Sequence, residues 1–290
     1  MDIKVGDIVA RKSYDYDILF KVHDIVVRND GSRIICLKGL NYRLFADAPE
    51  SDIIKMPMNK INEEMHKFEK RLSKLAKPGI FRSAAMAGKL IPSREEYSRY
   101  ELPGRVLHID GDNDYLSMCM KYYKEQGINA IGKLVPEADQ PGLIKSLLQA
   151  NNPDIVIITG HDSMLKQEGK GTGTDSIDKY RNSKYFIEAV KEARKYQQSL
   201  DELVIIAGAC QSYYEGILAA GANFASSPAR ILIHALDPGM LSKQIAFTSI
   251  DRIAPIEEVL RGTMTGVKGI GGVQTRGKLR AGMPKSPYTP

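Results

Sequence analysis

The chain has 290 residues, 43% hydrophobic and 26% charged, a balance that fits a globular protein of one large domain or two modest ones. No apolar stretch approaches the ~18 residues of a membrane-spanning helix, and Met1-Asp2-Ile3-Lys4-Val5-Gly6-Asp7 lacks the apolar core of a signal peptide. The net charge of +6 is mild and comes with no stacking or zinc motif, which argues against a nucleic-acid partner; three widely spaced cysteines argue against a disulfide framework and for a reducing compartment.

Residues 1–56 read as a small SH3-like β-barrel. Val5-Gly6-Asp7-Ile8-Val9 begins a strand, and Ile18, Phe20 and Val22 alternate with polar neighbours. Asn29-Asp30-Gly31 is a hairpin turn, since glycine supplies the positive φ that a primed turn needs. Segments 33–38 and 42–46 complete the expected strands. Residues 57–103 form a helix and a connector. Met58, Ile61, Met65, Phe68, Leu72 and Leu75 alternate at spacings of three and four, a seam of heptad type. Such a stripe packs on its own protein or makes a homodimer contact through 58–75.

Residues 104–260 alternate strand and helix, which predicts an α/β domain with a mainly parallel sheet covered on both faces. Val106-Leu107-His108-Ile109 is the first strand, followed by Asp110, Asp112 and Asp114. Segment 128–135 is the second strand and 140–150 a helix. Asp154-Ile155-Val156-Ile157-Ile158-Thr159-Gly160 runs into His161, and Leu203-Val204-Ile205-Ile206-Ala207-Gly208-Ala209 runs into Cys210. Both runs are too short and too β-branched for helices, so each reads as a buried parallel strand. A helical pattern over 184–200 lies between them. The resulting βαβ unit sets the two strands side by side or nearly so, with both C-terminal ends on one sheet edge. A further helix is expected over 212–220, and strands at 231–234 and 245–247. Residues 261–290 carry seven glycines, six basic residues and no acid, the composition of a mobile or loosely docked basic tail.

A thiol and an imidazole on one sheet edge are the minimum set for cysteine nucleophilic catalysis. Small residues before Cys210 let the chain turn sharply and expose the sulfur, and a following helix N-terminus favours thiolate. Each residue also has an ordinary structural role to weigh, as a small core thiol or a hydrogen-bonded histidine. Cys119, on the apolar stripe of a helix, and Cys36, in a barrel strand, read as core. His108 and His234 fall inside strand patterns, so only His161 shares the strand-end position of Cys210. The segment Glu168-Gly169-Lys170-Gly171-Thr172-Gly173-Thr174 is not a phosphate loop: it joins no strand directly to a helix, and its lysine is followed by glycine.

Gly160-His161 and Ala209-Cys210-Gln211, 49 positions apart, resemble the caspase–gingipain–clostripain group of cysteine peptidases, whose caspase signature places histidine about fifty residues before cysteine. The wider resemblance, over most of the chain, is to the YabG family of sporulation-specific cysteine proteases of endospore-forming bacteria. It is carried by Val5-Gly6-Asp7-Ile8-Val9-Ala10-Arg11-Lys12-Ser13-Tyr14, Thr159-Gly160-His161-Asp162-Ser163 and Gly208-Ala209-Cys210-Gln211-Ser212. The resemblance implies a caspase-like sheet and an endopeptidase with His161 and Cys210 as its dyad. It implies cleavage after arginine in proteins of the spore coat and cortex-associated layers, in the mother cell, without metal or organic cofactor. The oxyanion donors are then the backbone amides of Cys210 and Asp162, the latter standing where caspases have glycine. Arginine specificity calls for an acid at the same edge. Asp114 is the first choice and Asp112 the second, each weighed against a plain role as cap of the following helix. Two other readings stand beside this one: an amidase or glutamine amidotransferase-like hydrolase using His234, and a non-catalytic spore-layer binding protein.

Overall fold

The computed structural model describes residues 3–75, 100–165 and 176–283. The first unit is built from β1 (Ile8–Arg11), β2 (Phe20–Val27), β3 (Arg33–Gly39), β4 (Phe45–Pro49) and β5 (Ile53–Lys55). These form one antiparallel sheet in the order β4-β3-β2-β1-β5. Its inward residues, among them Val9, Phe20, Val22, Ile35 and Leu37, make a separate small core. The expected closed barrel is not formed, because no ladder joins the edge strands β4 and β5. The expected strand over 42–46 starts only at Phe45; Tyr42, Arg43 and Leu44 leave the sheet.

Pro57 precedes α1 (Met58–Leu75). Phe68, Leu72 and Leu75, the C-terminal half of its apolar stripe, pack on the core of the same chain. After β6 (Tyr100–Leu102), the α/β unit runs β7 (Val106–Asp110), α2 (Asn113–Gln126), β8 (Ala130–Leu134), α3 (Gln140–Asn151), β9 (Ile155–Thr159), α4 (Ser183–Tyr196), β10 (Val204–Ala207), α5 (Tyr214–Ala219), β11 (Phe224–Ser226) and α6 (Asp237–Ala246). The chain continues through β12 (Ile253–Ala254), α7 (Ile256–Arg261), β13 (Ile270–Gly272), β14 (Thr275–Arg276) and β15 (Arg280–Gly282).

The main sheet has the order β8-β7-β9-β10-β11-β13, parallel throughout except for β13. Period-two alternation explains why β9 and β10 are central. Ile155, Ile157, Val204 and Ile206 enter the core on one face, and Val156, Ile158, Ile205 and Ala207 the core on the other. Burying each isoleucine contributes roughly 1.5–3 kcal/mol, so sliding either strand by one residue is strongly opposed. The order reverses between β7 and β9, which makes their C-terminal ends the switch point where open α/β sheets bind ligands.

Three expectations need correction. Segment 245–247 is not a strand: Ile245 and Ala246 close the last turn of α6, whose Met240, Leu241 and Ile245 face the core. Segment 231–234 is likewise no strand; its pairing is a single antiparallel bridge between His234 and Tyr42. The basic C-terminal segment, as far as it is described, is built in rather than mobile. β13 closes the edge of β11, β14 pairs β12 and β15 pairs β6. Glycine makes that closure possible, since a Cβ at Gly272 would stand 2.2 Å from the carbonyl oxygen of Asn223. The Gly-rich segment 168–174 and most of the connector lie outside the described residues.

Candidate active site

β9 and β10 pair in parallel, with Ile158 opposite Ala207. Their C-terminal extensions therefore deliver His161 and Cys210 to adjacent points of one edge. Cys210 sits on a sharp turn between Gly208 at φ +102° and Gln211 at φ +55°. Only glycine adopts the first conformation without strain. The turn does not expose the sulfur. Cys210 is 1% accessible, and its thiol lies against the Ile233 backbone, with the Ile233 N–H 3.2 Å from Sγ. Burial pushes this thiol up to about 12, against opposing hydrogen bonds from the backbones of Ile233 and Arg43. The lowered thiolate pKa expected from a helix N-terminus is absent, since α5 starts four residues later and is short.

His161 is held from three sides. Its backbone N–H donates to Glu137 Oε1 at 2.6 Å, its carbonyl accepts from Asn182 Nδ2 at 2.8 Å, and its Nε2 lies 2.8 Å from Asp112 Oδ2. Asp112 also accepts the N–H groups of Asp114 and Tyr115, so it caps α2 and orients the imidazole together. Burial opposes the Asp112 charge, but His161 and Lys38 hold its carboxyl well below the usual range. A carboxylate on Nε2 places the ring proton there and leaves Nδ1 as the basic nitrogen. Nδ1 is buried and has no hydrogen-bond partner among the described residues. No hydrogen bond joins His161 to Cys210 among the described residues; catalytic contacts of this kind often tighten only when substrate binds.

Asp162 turns its carboxylate inward. It accepts from Ser163 N–H, Asn182 N–H, the Ser183 hydroxyl and the Ser212 hydroxyl. Burial raises its pKa in spite of these donors. The network ties the end of β9, the start of α4 and the turn after Cys210 into one unit. It also keeps the carboxylate away from the space in front of the thiol.

Asp110, which ends β7, and Asp112 and Asp114 after it are all engaged by the β3–β4 hairpin of the N-terminal unit. Lys38 Nζ reaches Asp112 at 2.7 Å and the mostly exposed Asp114 at 2.6 Å. Arg43 reaches Asp110 at 2.7 Å, with both side chains fully buried. Phe45 packs edge-on against the His161 ring at a centroid distance of 4.6 Å, and the Tyr115 ring lies 5.5 Å away. The sequence reading missed Lys38, Arg43 and Phe45, because a cation in a β-hairpin carries no mark of a partner so far along the chain. It placed Asp112 at the right edge without its contact to His161. His234 stacks on Phe68, and burial drives its pKa down to about 3. Cys119 is core, with its thiol 3.4 Å from the Ala235 carbonyl. No cluster of metal-ligating side chains is assembled among the described residues.

The class of the protein is that of an open, mainly parallel α/β sheet, with His161 and Cys210 carried past the C-terminal ends of two neighbouring central strands. The family model described as YabG peptidase U57 matches residues 4–284. The sporulation-specific protease YabG of Bacillus subtilis (strain 168) is 42% identical over 294 residues, covering 98% of this chain and 99% of the relative. The chain therefore belongs to the YabG peptidase family, a family of sporulation proteases, and is a peptidase. No helix among the described residues is long and apolar enough to cross a membrane.

Proposed function

We propose that this peptidase is a cysteine endopeptidase that processes spore coat and related spore-layer proteins in the mother cell, cutting after arginine. The observation that carries the reading is the pairing of β9 with β10. It brings His161 and Cys210 to one edge, with Nε2 of His161 held by Asp112 and Nδ1 left free. Nδ1 takes the Cys210 thiol proton as the sulfur attacks the scissile carbonyl carbon. The imidazolium then protonates the departing amine, leaving a thioester on Cys210. Water, deprotonated by the same nitrogen, releases the acid product. The backbone amides of Cys210 and Asp162 face the developing oxyanion in this scheme. The inward-turned Asp162 carboxylate supports that role, because it keeps negative charge off the oxyanion.

Asp114 and Asp112 remain at the rim of the cleft, where a basic substrate approaches. The chemistry uses no metal or organic cofactor. The amidase reading with His234 loses its base, since His234 Nδ1 accepts the Leu236 N–H and its ring is stacked under Phe68. The test is proteolysis of an arginine-containing spore-layer protein, with new termini mapped by mass. Cys210→Ala and His161→Ala each abolish cleavage and keep the wild-type melting profile, whereas Cys119→Ala retains activity. Dyad members act as a unit, so the double variant is little worse than either single one. Near-wild-type turnover in Cys210→Ala or in His161→Ala overturns the assignment.

A further inference from the structure

Residues 38–45 of the N-terminal sheet lie across the active-site edge in the manner of a bound peptide. We propose that this hairpin is a built-in substrate mimic: Arg43 fills the specificity pocket, Asp110 is the acid on its floor, and the peptidase stays latent until the N-terminal sheet lifts away. The proposal rests on the endopeptidase reading above and adds to it the pocket residue and the form of regulation.

Four independent features point the same way. The first is the pocket. Arg43 is 1% accessible and sits between the Asp110 carboxylate, the Ala235 carbonyl at 3.3 Å from Nη2 and the face of Tyr115 at 5.2 Å. Carboxylate, carbonyl and aromatic face are the groups that recognise a guanidinium. Burial opposes the Arg43 charge, and the groups around it, Asp110 foremost among them, more than offset that cost. Asp110 is in turn fixed by the Asp112 N–H at 3.0 Å and by His108, so the floor does not depend on Arg43 for its position.

The second feature is backbone pairing. Ala235 N–H donates to the Asn41 carbonyl at 2.9 Å, and Tyr42 bridges His234 in antiparallel register. Adding an extended chain to an exposed strand is a general way of gripping a peptide. The third is placement. The Arg43 backbone is within hydrogen-bonding reach of the Cys210 thiol, and Phe45, two residues on, covers His161. The fourth is the second cation, Lys38, which neutralises Asp112 and Asp114 at the rim. Asp110, Asp112 and Asp114 are thus all occupied by the same hairpin.

The hairpin also resists being cut. Leu44 N–H donates to the Tyr42 carbonyl at 2.7 Å, and Gly39 N–H to the Leu44 carbonyl at 2.8 Å. Both sides of the Arg43–Leu44 bond are therefore tied within one tight turn. A Cβ at Gly39 would stand 2.5 Å from the Tyr42 carbonyl oxygen, so glycine there lets the turn close. A cleft of about 590 Å³ opens beside Tyr42 and is lined by Ile18, Leu19, Phe68, His234 and Met264. It leaves room for the part of a substrate that precedes its arginine.

The test uses the full-length chain, a fluorogenic tripeptide ending in arginine, and arginyl and leucyl chloromethyl ketones that label Cys210. Arg43→Gln raises kcat/KM on the arginyl peptide and speeds arginyl labelling about tenfold or more, the factor expected when less than about a tenth of the wild type is open. Lys38→Met loosens the hairpin from the rim without touching the buried pair, and gives a smaller rise in the same direction if Arg43→Gln folds poorly. In the Arg43→Gln background, Asp110→Asn removes the preference for arginyl over leucyl labelling. Equal arginyl rates in wild type and both hairpin variants overturn the mimic while leaving the dyad standing. An arginyl preference that survives Asp110→Asn overturns the pocket assignment. Cleavage that persists in Cys210→Ala overturns the dyad, and the proposal with it.

Discussion

Asp112 does three things with one carboxylate. It caps α2, pairs with Lys38 and holds His161 Nε2. Asp112→Asn keeps a capping oxygen but loses the charge that favours an imidazolium beside it. We expect kcat to fall about a hundredfold, within the usual range for a perturbed acid–base group, with KM little changed; steady-state kinetics on the arginyl peptide checks this. The same substitution has a signature in stability. The folded-state pKa of Asp112 is depressed, so its contribution is fully present above the ordinary value of 3.8 and is lost as pH falls towards the lower folded value. Denaturant titrations below about pH 4 therefore show a flatter loss of stability in Asp112→Asn than in wild type. Asp162 plays a different part. Asp162→Ala strands two hydroxyls and two backbone N–H groups. A cost of about 2–4 kcal/mol follows, since buried donors are left without an acceptor. A matching fall in denaturation midpoint, with activity lost as the Cys210 turn loosens, is the expected pair of readouts.

At the scale of elements, what the sequence makes legible depends on how local the determining physics is. β9 and β10 are readable because each is an unbroken β-branched run buried on both faces, and the helix between them announces its crossover. The cap of α2 is readable because Asp112 and its acceptor role lie within three residues of each other. β11 and β13 are not, since Phe224–Ser226 and Ile270–Gly272 are three residues long and the latter is mostly glycine. Their pairing is decided by the free edge they meet, not by propensity. The turn at Gly208 lies between these cases: small residues suggest it, but only φ fixes it. Gly208→Ala puts a Cβ 3.0 Å from Ile217 Cδ1 at φ +102°. A strain cost of about 1–3 kcal/mol is expected, with slower acylation of Cys210, read as a reduced burst of product. The C-terminal segment gives a sharper contrast. Truncation after Met283 leaves every described strand in place and is tolerated. Truncation after Thr263 removes β13 and uncovers the edge of β11, and the product is expected to aggregate.

For the whole molecule, the governing relation is between the N-terminal sheet and the edge it covers. Nothing near Arg43 in the chain marks it as different from the other basic residues; its meaning comes from Asp110 and Cys210, brought to it by the fold. Arg276, in the basic C-terminal segment, is by contrast placed on β14, paired with β12. A buried ion pair between the two units has two consequences, of which only the second separates a structural staple from a pocket occupant. Removing Arg43 leaves Asp110 buried with a weaker partner, a loss of about 3–5 kcal/mol in either case, so Arg43→Gln melts below wild type. The difference lies in rescue. A peptide aldehyde ending in arginine supplies a guanidinium to the vacated pocket while its carbonyl captures Cys210. Binding to the folded state stabilises by RT ln(1 + [L]/Kd), about 2.7 kcal/mol at a hundredfold excess over Kd. In Arg43→Gln that gain is realised in full. In wild type the ligand must first displace Arg43, and the upward shift of the melting temperature is correspondingly smaller. A leucyl aldehyde should produce no such asymmetry. Equal shifts in the two proteins would mean that Arg43 staples the units together and that substrate arginine binds elsewhere.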